Sequence, residues 1–254
     1  MNSDANIIQT PLKDLIGSLI LKTHIPDRHP ARNALTHIEK AWILKDIDPG
    51  MSAFRAITAV EEATSAIFHA LKRKKYDNAK HLNKKKHFHK AAISPFLSAI
   101  ETVLASLNLK MQLHYNTNDK KPKLQIAILP PFEDAYIYPV PPLGALMFAN
   151  GSTYDFSAEI AAIITTQNAT SFLQYSHDLT KERNRILYAE HRGIPDIKIT
   201  EEYLRRKESL VITLLTIFLF IAQYNEKQLF AQQALDAYVA LLKLTDKNKK
   251  NTQQ

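Results

Sequence analysis

Glycine occurs only five times in 254 residues. The long stretches between those glycines are rich in Ala, Leu, Ile, Lys and Glu, a composition that favours helices over sheets. A chain of this length can bury a sizeable core as one large domain or two small ones. Cysteine is absent. Disulfides and thiolate metal sites are therefore excluded, and the composition fits a reducing cytoplasm. Residues Met1 to Asn6 are polar and lack the basic-then-apolar layout of a signal peptide, so a cytoplasmic location is expected. The longest apolar run, Leu210 to Ala222, spans thirteen residues between charged flanks. A bilayer crossing needs about twenty. The run reads as a helix buried in a bundle, and no membrane partner is expected.

Helix start signals recur along the chain. Thr10-Pro11 opens a helix expected to reach Lys22, a second is expected from Pro30 to Lys45, and Asp48-Pro49 opens a third reaching Lys75. A fourth is expected from Asp77 to Asn108. The period then changes. Leu109, Met111, Leu113 and Tyr115 alternate with polar residues, and so do Leu124, Ile126 and Ile128, with a turn-rich link between them. Six of the twelve prolines fall between Pro122 and Pro142. Residues 109–152 therefore read as a β-hairpin and proline-rich insertion within a single mainly α domain, a helical bundle over residues 1–254. Helices resume over Phe156 to Arg192, Thr200 to Tyr224, and Asn225 to Leu244, where Asn225 and Gln228 form a capping-box pattern. The polar stretch 246–254 reads as a flexible tail.

The net charge is +8, and the positive charge is clustered at Lys72-Arg73-Lys74-Lys75, Lys84-Lys85-Lys86, Lys120-Lys121, Arg205-Arg206-Lys207 and Lys247 with Lys249-Lys250. Basic surface attracts polyanions by neutralising phosphates and releasing counterions. Solvated helix faces carry such runs too, so the clusters point to RNA or DNA without selecting either.

In the third helix Ile57, Val60, Thr64, Ile67 and Leu71 form an apolar seam. Glu61 lies beside it. A carboxylate there either keeps its tip in water or is held near the core to orient an arginine or histidine from another helix. Arg55, Glu62 and His69 share a second stripe, read as solvent-facing. In the fourth helix His89 falls on the apolar stripe and is expected as a hydrogen-bonded core residue. His87, beside three lysines, is expected at the surface or on RNA. No glutamate has a histidine three residues later, and His-Glu-x-x-His is absent, so no metal site is expected.

The chemistry concentrates at Lys181-Glu182-Arg183-Asn184-Arg185-Ile186-Leu187-Tyr188-Ala189-Glu190-His191, followed by Gly193 and Pro195. Arginine can hold a phosphate and histidine can move a proton. Alternatively, the arginines are surface cations and His191 is a charge favoured by a helix C-terminus. Asn184, Tyr188 and His191 share a helix face, and Arg185 lies about a third of a turn away.

A basic helical chain with Arg, four to six residues, then His near a helix end resembles the HEPN superfamily. Arg185 and His191 fit that spacing. Arg183-Asn184 has the polar residue that often follows the motif arginine, so Arg183 and Arg185 both remain candidates. The AbiV-like abortive-infection branch is similar in a Glu-Glu pair, here Glu61-Glu62, in a His-Lys pair, here His89-Lys90 or His87 with Lys90, and in a later arginine followed by Leu187-Tyr188. The resemblance covers residues 30–108 and 156–224. It implies metal-independent endoribonuclease activity without a cofactor, acting in anti-phage abortive infection or as a toxin. His191 would be the acid/base. Arg185 or Arg183 would clamp the phosphate, with Asn184 and Tyr188 assisting and Glu62 orienting the arginine. His87, His89 and Lys90 would contact RNA. A homodimer is implied, with an antitoxin or phage-encoded activator protein as regulator. The alternative is a non-catalytic helical module binding a partner protein or RNA, for which Tyr136, Tyr138, Pro139, Pro141 and Pro142 offer a surface.

Overall fold

A computed structural model describes residues 5–114, 122–128, 135–144, 178, 180–181, 183–186 and 199–251. The chain is mainly helical, with one small antiparallel sheet. In order, it forms α1 (Ala5–Ile20), α2 (Ile25–Leu44), α3 (Pro49–Arg73), α4 (His87–Ala91), α5 (Ile93–Ser106), β1 (Leu109–His114), β2 (Lys123–Ile128), β3 (Ala135–Ile137), α6 (Glu201–Ala222) and α7 (Leu229–Asn251).

Helix α3 organises the bundle. Asp48 caps it, accepting a hydrogen bond from the Met51 amide at 2.9 Å, and Pro49 occupies its first turn. Ala56, Ala59, Ala63, Ala66 and Ala70 are buried at three- and four-residue spacing. Such small side chains let a neighbouring backbone approach closely. The facing helix α2 brings its own alanines, Ala31, Ala34 and Ala41, and the Ser52 hydroxyl donates to the Ala41 carbonyl at 2.7 Å. The apolar seam from Ile57 to Leu71 is buried as well, so α3 is enclosed on most sides by α2, α6 and α4. Phe68, Phe218, Ile38, Leu204 and Leu214 lie at the centre of the core.

The expected hairpin forms with Leu109 opposite Ile128 and His114 opposite Lys123. A third strand, β3, which the sequence pattern did not announce, pairs with β2. The Leu210 to Ala222 run lies within α6, where Leu214, Leu215, Phe218 and Leu219 are buried. Among the described residues no helix is long and apolar enough to cross a membrane.

Several helix limits differ from expectation. Helix α1 starts at Ala5, upstream of Thr10-Pro11, and α2 starts at Ile25 with Pro26 in its first turn and Pro30 inside it. The fourth helix is broken. Residues Ala79–His81 form a single 3-10 turn entered through Asn78 at φ 62°, and regular helix begins only at His87. A further interruption at Ala92 separates α4 from α5. Pro95 lacks the amide that would bond the Ala91 carbonyl, which explains that break. The Asn225–Gln228 capping box does not form. Gln228 is buried instead, and α7 starts at Leu229, with the Phe230 amide donating to the Gly144 carbonyl at 3.1 Å. Helix α7 continues to Asn251, past the boundary expected at Asp246.

Candidate functional site

Glu61 sits in the middle of α3 and is 5% exposed. An ionised carboxylate removed from water this far requires charged or hydrogen-bonding partners. It has three. The imidazole Nδ1 of His87 lies 2.8 Å from Oε2 and 3.0 Å from Oε1. Lys90 Nζ lies 2.9 Å from Oε2. Arg183 Nε lies 3.9 Å from Oε1, an ion pair rather than a hydrogen bond.

Each partner arrives from a definite piece of local structure. His87 and Lys90 are three residues apart in α4, so both fall on the face turned toward α3. His89, between them, points the other way. It is buried, and its Nδ1 accepts from the Asn83 amide at 3.2 Å. The Tyr238 hydroxyl donates to the His89 carbonyl, which ties the short helix to α7. The alternative left open by the sequence, His87 or His89 beside Lys90, is thus resolved geometrically: His87 shares the carboxylate with Lys90.

Arg183 belongs to the helical stretch 183–186. Its guanidinium carbon lies 5.3 Å from the centre of the Phe54 ring, a cation–π arrangement. Phe54 precedes Glu61 by seven residues and so shares its face of α3. Sequence reasoning missed Phe54, although the seven-residue spacing to Glu61 was a signal for it. Asn184 is exposed, and its Oδ1 accepts from Arg183 Nη1 at 3.5 Å. Arg185 is exposed to solvent. Of the two candidate arginines, Arg183 is the one beside the buried carboxylate. Tyr188 and His191 lie outside the described residues.

Glu62 points elsewhere, accepting from Asn33 Nδ2 at 3.4 Å. The stripe expected to face solvent is half-buried, and its other members also take partners. Arg55 Nη1 lies 3.2 Å from His37 Nδ1, and Lys84 Nζ lies 3.0 Å from His69 Nε2. Burial, assisted by Arg55 and then Lys40, holds the His37 pKa below its ordinary value. Burial, with Lys84 next, does the same for His69.

The charge balance of the cluster decides what it can do. Among the described residues, one carboxylate faces two cations, Lys90 and Arg183, and an imidazole. Lys90 is buried and Arg183 nearly so, whereas the His87 side chain is 39% exposed. The Nδ1 contact with Glu61 orients the ring and leaves Nε2 as the nitrogen that can exchange a proton when Nδ1 carries the hydrogen. The excess positive charge in a partly dry setting favours an anion such as a phosphodiester. Among the described residues no group of three or more acidic or histidine side chains is placed to hold a metal ion.

No family model matches this sequence, and neither the curated proteins nor the solved structures show a significant match to it.

Proposed function

We propose that this chain is a HEPN-like, metal-independent endoribonuclease, acting in anti-phage abortive infection or as a toxin. The observation that carries the reading is the buried Glu61 carboxylate, with His87, Lys90 and Arg183 gathered on it from two further segments of the chain. Glu61 orients His87. His87 Nε2 takes the proton of a ribose 2′-hydroxyl or returns one to the leaving oxygen. Arg183 and Lys90 supply positive charge for the phosphate as negative charge builds on its oxygens. The product carries a 2′,3′-cyclic phosphate. His191 remains the acid/base implied by the resemblance, and a two-fold dimer would bring a second set of these groups to the cleft.

The test is incubation of wild type and His87→Ala with a defined RNA in EDTA. The expected result is cleavage to cyclic-phosphate ends by wild type and a loss of about 10²–10⁴-fold in His87→Ala. Absence of cleavage by wild type overturns the reading. Cleavage by wild type that EDTA abolishes overturns its metal-independent part.

A second reading, partner binding, rests on a separate observation. Tyr136, Ile137, Tyr138 and Val140 are exposed on and beside the edge strand β3. Retained binding of RNA or protein in the absence of any cleavage would favour it.

A further inference from the structure

The end of α3, the segment 80–86 and α7 enclose a recess of about 410 Å³ that is separate from the Glu61 cluster. Six lysines line it: Lys72, Lys80, Lys84, Lys85, Lys86 and Lys243. No aspartate or glutamate does so among the described residues. Cations this close raise one another's free energy unless an anion lies between them. Lys72 Nζ donates to the Leu82 carbonyl at 2.6 Å, and its pKa is lowered by burial and by the charge of Lys84. Lys84 Nζ in turn lies against His69, whose pKa is lowered by burial and by the same lysine. The backbone locks this arrangement through the 3-10 turn at Ala79–His81 and the Lys85 amide, which donates to the Asn83 side chain at 2.9 Å.

The position of the recess relative to the cluster gives it a meaning. Glu61 and Lys72 are eleven residues apart on α3, about three turns, so both lie on one face of the helix. Their separation along the axis is about 16 Å at 1.5 Å per residue. A stacked single strand covers that distance in about five nucleotides at ~3.4 Å each. The residues from Lys84 to Lys86 lead directly into His87, so the two places are joined by continuous basic chain.

We propose that this lysine recess is the backbone-phosphate subsite for a single-stranded RNA whose scissile phosphate lies at the Glu61, His87 and Arg183 cluster. The inference rests on the ribonuclease reading for the second half of that statement only. The recess grips phosphates out to about five nucleotides from the cut at its Lys72 end and carries no base specificity.

The experiment uses a 2′-O-methyl RNA dodecamer, which lacks the nucleophilic hydroxyl and cannot be cleaved, so binding is read apart from chemistry. Affinity is measured by fluorescence anisotropy over a salt series for wild type and for the triple variant Lys80→Gln/Lys84→Gln/Lys85→Gln. These lysines are exposed, and circular dichroism verifies that the variant is folded. The expected result is weaker binding and a salt slope reduced by about two, at ~0.7 per lost phosphate contact on a single strand. A 2′-O-methyl trimer, too short to span both places, is expected to lose the dependence on these lysines when it occupies the Glu61 cluster. Unchanged dodecamer affinity and salt slope in the variant overturn the proposal. Lysine-dependent binding of ATP without lysine-dependent binding of the dodecamer also overturns it, because the recess would then be a free-nucleotide site. Lysine-dependent dodecamer binding in a wild type that cleaves no RNA supports the subsite and removes the ribonuclease reading.

Discussion

Glu61 and His87 meet through both carboxylate oxygens, at 2.8 and 3.0 Å from one imidazole nitrogen, although 26 residues separate them in the chain. The carboxylate is buried and the imidazole is half in water. That asymmetry makes Glu61 the fixed member of the pair and His87 the one open to solvent.

Replacing Glu61 by Gln removes the only carboxylate bonded to Lys90 among the described residues, and leaves two cations facing each other. Breaking a buried pair from one side costs several kcal/mol. About 3 kcal/mol is expected here, because His87 and Arg183 keep some contact with water. Denaturant unfolding of Glu61→Gln measures it. A midpoint equal to that of wild type would show that the carboxylate adds no net stability to the fold.

The two arginines separate cleanly. Arg183→Ala is expected to lower RNA cleavage by about 10²–10³-fold, the scale of removing one charge-stabilising donor. Arg185→Ala is expected to leave both cleavage and thermal stability close to wild type, since its side chain is exposed. Arg183→Lys keeps the charge but loses the planar face set over Phe54, so it should recover only part of the activity. The reverse ranking, with Arg185→Ala the more damaging, would return the motif arginine to the position that spacing alone selects.

Stability is expected to fall as pH drops below about 6.5, the ordinary histidine value. His37 and His69 both have folded-state pKa values lowered by burial, with Arg55 next for His37 and Lys84 next for His69. Between the lowered value and the ordinary one, the unfolded chain binds more protons than the folded chain, so stability rises with pH across that window. Above it the contribution is fully present. Thermal melts of wild type and of His37→Gln/His69→Gln from pH 5 to 8 test the assignment. A shallower acid-side decline is expected in the double variant, and identical profiles would count against it.

Gln228 joins three parts of the fold. Its side-chain amide donates to the Phe220 carbonyl at 2.7 Å, its side-chain oxygen accepts from the Leu143 amide at 2.7 Å, and its own amide donates to the Tyr76 hydroxyl at 2.9 Å. Gln228→Leu strands the first two of those backbone groups in the interior at about 1–3 kcal/mol each. A cooperative loss of thermal stability is expected. A variant as stable as wild type would mean that water reaches the Phe220 carbonyl and Leu143 amide.

Much of this fold was legible because it rests on periodicity and caps. Asp48-Pro49, Thr200 and the alternation from Leu109 to Ile128 all act locally, and the backbone obeys them. The misplaced limits have tertiary causes. Asn225 and Gln228 read as a helix start, but Gln228 gains more by satisfying buried groups of other segments than by capping its own. The break before His87 depends on Asn78 entering a left-handed conformation, which the run of helix-favouring residues conceals. At the candidate site the residue types were visible, and their pairing was not. Whether His87 or His89 meets the carboxylate turns on which face of a five-residue helix is presented to α3, and only the packed bundle fixes that.

The carboxylate at 61, the imidazole at 87 and the guanidinium at 183 also enter the world at different times. At ~5–20 residues per second, roughly 5–20 s pass on the ribosome between synthesis of the histidine and synthesis of the arginine. Throughout that interval a growing chain, surrounded by ribosomal RNA, holds an unfinished set of groups. The proposed site is therefore complete only after its arginine has been made, by the order of the sequence itself.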